Sequence, residues 1–482
     1  MTTNTVRKQI GFNYIFYTLY QLLTLITPLI TTPYVSRVLT ADGIGKISYT
    51  HAIVQYVIVL FTFGTNIYAN RKMAFLQGNK KEQSKLFGEI LSIRAIMLLI
   101  GVCVYTLIIA IEKTNYVMML VQGTYLLAEF INIDWLFSGN EDFKLTITRN
   151  FAIKILGILA VFLFVRDKQD VNLYAGILGL SIFLGNLSLW WYLPKYIEKI
   201  NLDLSYAKNH IIGSMKLFMP QLAGTIYAYF DKIMLGLMTA ADTENGYYEQ
   251  TQKIIRLSLT VITALPTVML PRMANIFAKN EEEKLKDYLN MSLQFVFVLG
   301  IPIMCGIIAI SDGIVGWFFG AGYEVVELLL KVLAPVVIFN SIYNVIGYQY
   351  FLATKKETKY TYIILVGSVT NVILNFVLIP DFASLGAIIG SVLAEAVVSM
   401  IMLFYIRKLL NKKFLCITIL KTVIGGIIMG IVVWILNRIM GYGIVQTFTV
   451  ILVGAVVYII TEIIAKETLI VKVFNSLRRK QR

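Results

Sequence analysis

Lys253 and Arg256 stand three residues apart inside an apolar stretch, which puts both on one face of a helix. Such a pair suits an anion, because Arg offers paired donors and Lys a compact point charge. The alternative is that both stems lie along lipid and their charged heads reach the headgroup layer. Arg94, Lys154, Asp231, Lys232, Lys331, Glu395 and Lys421 also fall within apolar runs. Ionisable groups there are costly, and they face a cavity or one another. Lys154 sits near a helix end, placed either to meet an entering anion or to snorkel. Arg94 and Lys421 read as snorkelling at that same end, and Lys331 at the opposite one. Asp231 and Lys232 adjoin, so on a helix they point roughly 100° apart and do not simply pair. Asp231 either bridges to Arg256 or Lys253 or holds a proton or Na⁺. His51 and Gln55 are four apart and present polar groups to one side of a helix. Taken alone, His51 reads as a hydrogen-bonded structural residue. Arg37 follows Pro28 and Pro33, whose missing donors kink a helix either as a hinge or as static packing. Pro220, Pro266, Pro271, Pro302 and Pro335 repeat that theme. No zinc-ligand spacing and no glycine-rich nucleotide loop is written in the chain, so no metal or cofactor is expected beyond a possible coupling ion.

The elements that hold these groups follow from composition. Of 482 residues 57% are hydrophobic and 15% charged, against about 25% charged in soluble proteins. The mean hydropathy is +0.73. A soluble fold could not cover so much apolar surface with so few charges. The expected class is therefore an all-α integral membrane protein. Segments of about twenty apolar residues number fourteen, near 10–38, 45–69, 88–111, 116–137, 148–165, 172–193, 215–238, 248–270, 288–311, 327–351, 360–380, 385–406, 415–437 and 444–464. The first reads as a spanning helix rather than a signal peptide, because its apolar run has no small-residue cleavage site. Connecting segments are short, which leaves no room for a soluble catalytic domain and argues against a sugar-joining enzyme. Cys103, Cys305 and Cys416 lie in apolar stretches and form no disulfide framework. Trp135, Trp190, Trp191, Tyr247 and Tyr248 fall near span ends and read as interfacial anchors.

The net charge of +15 is explained by its distribution. Segments on the side of the termini hold most of the basic residues, among them Arg71, Lys72, Lys80, Lys81, Lys85, Lys195, Lys199, Lys408, Lys412 and Lys413. The opposite loops hold Arg37, Lys46, Lys113, Arg166, Lys168 and Arg438. By the positive-inside rule both termini are cytoplasmic, and the Arg478–Arg482 tail rests on anionic lipid. Nucleic acid is not needed to account for the charge. The chain also repeats itself at an offset of 201 residues: Thr50 with Thr251, Ile53 with Ile254, Arg71 with Arg272, Asn79 with Asn280, Glu82 with Glu283 and Lys85 with Lys286. Leu39, Thr40 and Ala41 align with Met238, Thr239 and Ala240 after a two-residue gap. The repeat predicts a six-helix lobe over 1–200, a second over 201–406, and an appendage of two helices and a basic tail over 407–482. It also sets Gln55 opposite Arg256.

Five segments resemble bacterial polysaccharide repeat-unit flippases of the multidrug, oligosaccharidyl-lipid and polysaccharide (MOP) exporter superfamily. They are TPYVSRVLTADGIGKISYT (Thr32–Thr50), DWLFSGNEDFKLTITRN (Asp134–Asn150), YFDKIMLG (Tyr229–Gly236), LPRMANIF (Leu270–Phe277) and NVILNFVLIPDFASLGAIIGSVLAE (Asn371–Glu395). The resemblance implies a two-lobed, fourteen-helix fold and alternating access. Its implied cargo is an undecaprenyl-pyrophosphate-linked oligosaccharide, carried to the outer leaflet of the bacterial cytoplasmic membrane for capsule or O-antigen. Lys253, Arg256, Lys154 and Arg37 are then candidates for the pyrophosphate, His51 and Gln55 for the polar cavity, and Asp231 for H⁺ or Na⁺ coupling or a salt bridge. The polymerase and glycosyltransferases of the pathway are implied partners, besides membrane lipids. A cation-coupled drug or metabolite antiporter would share the fold. The excess of basic over acidic residues within the spans favours an anionic cargo.

Overall fold

The computed structural model describes residues 3–112, 114–239 and 241–472. Among them the chain is helical, without strands: α1 (Thr3–Thr62), α2 (Thr65–Phe75), α3 (Lys80–Ile111), α4 (Tyr116–Phe130), α5 (Asp134–Gly139), α6 (Phe143–Phe164), α7 (Val171–Leu189), α8 (Ala207–Met238), α9 (Asp242–Ala278), α10 (Glu282–Phe318), α11 (Val325–Leu333), α12 (Val336–Ile346), α13 (Glu357–Tyr405), α14 (Lys412–Met440) and α15 (Ile444–Ile464). Eleven helical stretches among the described residues are long and apolar enough to cross a membrane. The fourteen apolar segments of the sequence are mostly helical, with short breaks such as 63–64, 131–133 and 334–335 inside three of them. Two of the eleven stretches, in α1 and α13, each carry two of those segments joined at a kink. Large apolar side chains such as Leu107, Leu163, Val268, Phe404, Val445 and Leu452 are exposed, as lipid-facing positions require. This is an all-α integral membrane protein. The Arg478–Arg482 tail lies outside the described residues.

The kinks do not fall on prolines. α1 breaks at Thr40, with φ 61° and ψ 174°, and α13 at Ala383, with φ 47° and ψ −126°. Neither residue has glycine's freedom at positive φ, so both breaks are held by surrounding packing. Residues that the repeat pairs stand at helix junctions in both halves, with different backbone conformations. Thr40 marks the break in α1, and its counterpart Thr239 caps the C-terminus of α8 in extended conformation. Asn79 caps α3 by accepting the Glu82 N–H at 3.2 Å, and Asn280 precedes α10 with φ 55°.

By packing, the chain divides into two compact units, Met1–Gly246 and Tyr247–Arg482. In the first, α8 packs on α1, α2 and α3. Two close approaches in this unit require glycine: Gly45 lies on the Asp242 carbonyl and Gly246 on the Ala41 carbonyl, with no room for a β-carbon at either. Trp135 is no interfacial anchor. It is 3% exposed and stacks on Phe87, with ring centroids 5.4 Å apart, in a core that also holds Met73, Ile90, Leu136 and Phe137. Trp190 donates its indole N–H to the Ile131 carbonyl at 2.8 Å, whereas Trp191 is exposed. The short α5 therefore acts as a packed wedge against α2, where Gly139 lets the backbones close in at Met73 and Asn70. Between the 3₁₀ turn Trp190–Lys195 and α8, the Ser205 hydroxyl and N–H donate to Asp203 and hold its carboxyl below the usual carboxylate range.

In the second unit α10 is the central element, packed by α11, α12, α14 and α15. A proline, Pro335, starts α12 immediately after α11 ends, and a π-helical turn follows at Gly347–Leu352. Tyr248 is 3% exposed and lies within hydrogen-bond reach of Ser391, 3.4 Å away. It too belongs to the interior rather than to an interfacial belt.

Candidate functional site

A cavity of about 400 Å³ opens in the first unit, walled by α1, α4, α6 and α7. Its polar lining is Thr27, Thr31, Tyr125, Arg149, Asn150, Lys154, Tyr174, Ser181 and Asn186. Two cations and no carboxylate are in that lining, so the space favours an anion with hydroxyl-rich surroundings. Lys154 comes from the middle of α6 and is half-buried. Arg149 enters one turn earlier, aimed by its partners. Its guanidinium donates to the Gly185 carbonyl of α7 at 2.8 Å and to the Asn150 side chain at 3.1 Å, and it stands 4.0 Å from the Asp134 carboxylate. A guanidinium held on a carbonyl and an amide keeps a planar face preorganised for oxyanions. Arg149 is not among the cations that the sequence singles out. The signal was its position five residues before Lys154, at the end of the Asp134–Asn150 motif.

His51 of α1 lies beside this cavity. Its ring is 4.7 Å from that of Tyr125, which lines the space, and 6.2 Å from that of Tyr229 of α8. Its Nδ1 is 3.3 Å from the Gln122 side chain. His51 thus has a side-chain neighbour in Gln122 and a ring neighbour, Tyr125, that lines the cavity. Gln55 lies one turn on and is half-buried. Asp231 and Lys232 are buried on α8, at 2% and 4% exposure. Lys232 Nζ is 5.5 Å from the Tyr229 ring, and the Lys232 carbonyl accepts from Asn245 at 3.0 Å. Arg37 is exposed, donates to the Pro33 carbonyl at 2.9 Å, and is not among the cavity's lining residues.

Lys253 and Arg256 belong to the second unit, on α9. Arg256 is exposed and paired with Glu249 of its own helix at 3.1 Å; Lys253 is half-buried. The second unit also holds an apolar cavity of about 800 Å³ between α10, α14 and α15, lined by residues such as Leu299, Ile303, Met429, Val433, Ile451 and Ile459.

Other charges turn out to be structural. Arg94 does not snorkel: it is 1% exposed and bridges to Glu129 of α4 at 2.9 Å, with further bonds to the Glu129 carbonyl and the side chains of Asn66 and Thr65. Asn66 and Asn132 also donate to the Glu129 carboxylate, at 2.8 and 3.0 Å. Lys331 pairs with Asp312, and Lys421 donates to the Lys466 carbonyl at 2.9 Å. Glu395 is buried and accepts from Asn340 at 3.0 Å.

The family model described as polysaccharide biosynthesis protein matches residues 10–277, more than half of the chain. The chain belongs to that family. A second model, MatE, matches residues 217–377. A relative from Escherichia coli (strain K12), named "Putative O-antigen transporter", is 22% identical over 426 residues, covering 86% of this chain and 100% of its own length. The lipid II flippase MurJ of Bacillus subtilis (strain 168) is 26% identical over 218 residues, 43% of this chain and 40% of that one. Among solved structures, a lipid II flippase MurJ in an inward closed conformation matches with TM-score 0.76 and 16% identity, over 95% of this chain and 100% of that chain. An inward-facing multidrug MATE transporter of the MOP superfamily matches at TM-score 0.57 and 12% identity, over 80% of this chain and 98% of its own. This family member thus shares its fold with MOP-superfamily transporters.

Proposed function

We propose that this protein moves an undecaprenyl-pyrophosphate-linked oligosaccharide repeat unit from the inner to the outer leaflet of the bacterial cytoplasmic membrane, by alternating access, for surface polysaccharide synthesis. The observation that carries the reading is the polar cavity of the first unit, with Arg149 and Lys154 as its cations. A pyrophosphate cannot cross hydrocarbon unaided, and a cationic, hydroxyl-lined space inside a membrane helix bundle meets that need. The apolar cavity of the second unit has the chemistry to accept hydrocarbon. The names of the relatives, flippases and an O-antigen transporter, support the same cargo class. In this reading Lys253 and Arg256 offer the second unit's own cations to phosphate, Arg37 adds one in the first, and His51 and Gln55 are polar wall. The six-helix lobes over 1–200 and 201–406, the appendage over 407–482 and cytoplasmic termini complete it. The polymerase and glycosyltransferases of the pathway are its partners, and H⁺ or Na⁺ its coupling ion. The protein is a transporter and catalyses no bond chemistry.

A cation-coupled antiporter is the second reading, favoured by the burial of Asp231 on α8 within the MatE-matched segment. Reconstitution into proteoliposomes with a labelled undecaprenyl-pyrophosphate oligosaccharide separates the two. Leaflet transfer that falls about tenfold in Lys154→Ala and is lost in Lys253→Ala with Arg256→Ala, with folding retained, is the expected result. Absence of transfer together with cation-driven efflux of a soluble compound would overturn it and make Asp231 the coupling residue.

A further inference from the structure

We propose that Glu462 is a reversible proton-binding site in the seam between α14 and α15. The residue is fully buried, and neither carboxyl oxygen has a hydrogen-bond partner among the described residues. Its Oε1 lies directly over Gly425 of α14, where a β-carbon would collide with it. Glycine at 425 therefore makes the space that the carboxyl occupies. A bare carboxylate in such a setting is far costlier than the neutral acid, so a proton on the group relieves that cost.

The groups around it define what happens when the proton leaves. On α15 itself, Tyr458 lies one turn earlier and donates to the Val298 carbonyl at 2.8 Å. After the helix, Glu467 is buried but satisfied: it accepts from the Leu469 and Ile470 N–H groups at 2.7 and 3.0 Å and from Gln294 of α10 at 2.5 Å. α10 also brings Cys305 against Gly426. α14 contributes Lys421, one turn before Gly425, with its ammonium on the Lys466 carbonyl. Lys421 is a cation at this seam able to neutralise an ionised Glu462, and the exposed Lys466 follows Glu462 by four residues.

Release of the proton to water converts the acid to a carboxylate. Lys421 stays protonated and exchanges its carbonyl acceptor for that carboxylate, a stronger charge-assisted partner. The exchange frees the turn at Lys466 and alters the seam one turn from Tyr458 and Ile459, which wall the apolar cavity. Occupancy of that cavity and the proton on Glu462 are then linked reciprocally.

Infrared difference spectroscopy of the full chain in lipid nanodiscs, titrated with pH, reads the carbonyl stretch of protonated carboxyls. The expected result is a band that fades as pH rises, is missing from Glu462→Gln and persists in Glu467→Gln. In Lys421→Met the band should survive to higher pH by about one unit, a tenfold change in proton affinity, because the cation that favours ionisation is gone. A titrating band that remains in Glu462→Gln, or that disappears in Glu467→Gln instead, would overturn the assignment. If Glu462→Gln does not fold, Lys421→Met carries the test alone, and a titration that it leaves unmoved sinks the proposal.

Discussion

Gly45 and Gly246 stand 201 residues apart, at equivalent places in the repeat, and make the same contact in reverse: each lies on the backbone carbonyl of the partner helix, at Asp242 and Ala41 respectively. The start of the second half of α1 and the start of α9 thus cross with backbone against backbone. Asp42 and Lys46 pair at 2.9 Å beside the crossing. Under alternating access this closure is a contact that has to open. Gly45→Val should force it apart. A cysteine introduced at Ala41, buried by this contact, should react with a membrane-impermeant maleimide several-fold faster in the Gly45→Val background. Equal rates would show that the crossing is not held by the glycines.

Arg94 is buried and its partner Glu129 half-buried, with five further polar bonds around the pair. Removing one partner leaves the other charge buried and uncompensated, at a cost of about 3–5 kcal/mol. Arg94→Met and Glu129→Gln should each lower thermal stability in detergent strongly. The double variant should lose less than the sum, and thermal denaturation of the four proteins closes the cycle. Strict additivity would show that the two charges are not coupled.

Lys154 and Arg149 differ in how firmly they are held, and the consequences should differ too. Lys154→Arg keeps the charge and should retain most transport, whereas Lys154→Ala should lose about tenfold, the equivalent of ~1.4 kcal/mol. Arg149→Lys keeps the charge but cannot reproduce the fork onto Gly185 and Asn150, so it should fall nearly as far as Arg149→Ala. Leaflet transfer by the four variants, normalised to folded protein, distinguishes charge from geometry.

Asp203 offers a pH test outside the spans. Its carboxyl is held down first by the Ser205 hydroxyl and then by the Ser205 N–H. A depressed carboxylate stabilises the fold above its ordinary pKa and loses that contribution as pH falls through the depressed value. Hydrogen exchange at the start of α8 should therefore be slower in the wild type than in Ser205→Ala at neutral pH. The difference should vanish in acid. A difference that persists there would assign it to something other than the Asp203 charge.

Much of this architecture is written in hydropathy. The fourteen apolar segments are legible because each must satisfy its own backbone in lipid, and that demand leaves a run of about twenty residues. The joints are less so. Thr40 and Ala383 take positive φ without being glycine, and no local pattern announces a conformation that only packing enforces. Trp135 and Arg94 fail for a related reason: position along the chain places a residue near an interface, but whether it turns inward depends on a partner far off in sequence. For Arg94 that partner is Glu129, an acidic residue within an expected span. Lys154 and His51 were legible as polar groups in apolar helices. That Arg149 joins Lys154 in one lining was not, because Arg149 stands at the edge of the 148–165 run, where a cation reads as marking sidedness.

On the function proposed above, the cavity around Arg149 and Lys154, at about 400 Å³, has a consequence for selectivity. At roughly 30 Å³ per molecule it would hold on the order of a dozen waters. It could enclose a phosphate group and the sugar next to it, and the rest of a longer glycan would extend past its walls. Discrimination by this pocket would then read the reducing-end linkage of the cargo, leaving the distal sugars free to vary without a matching change in the protein.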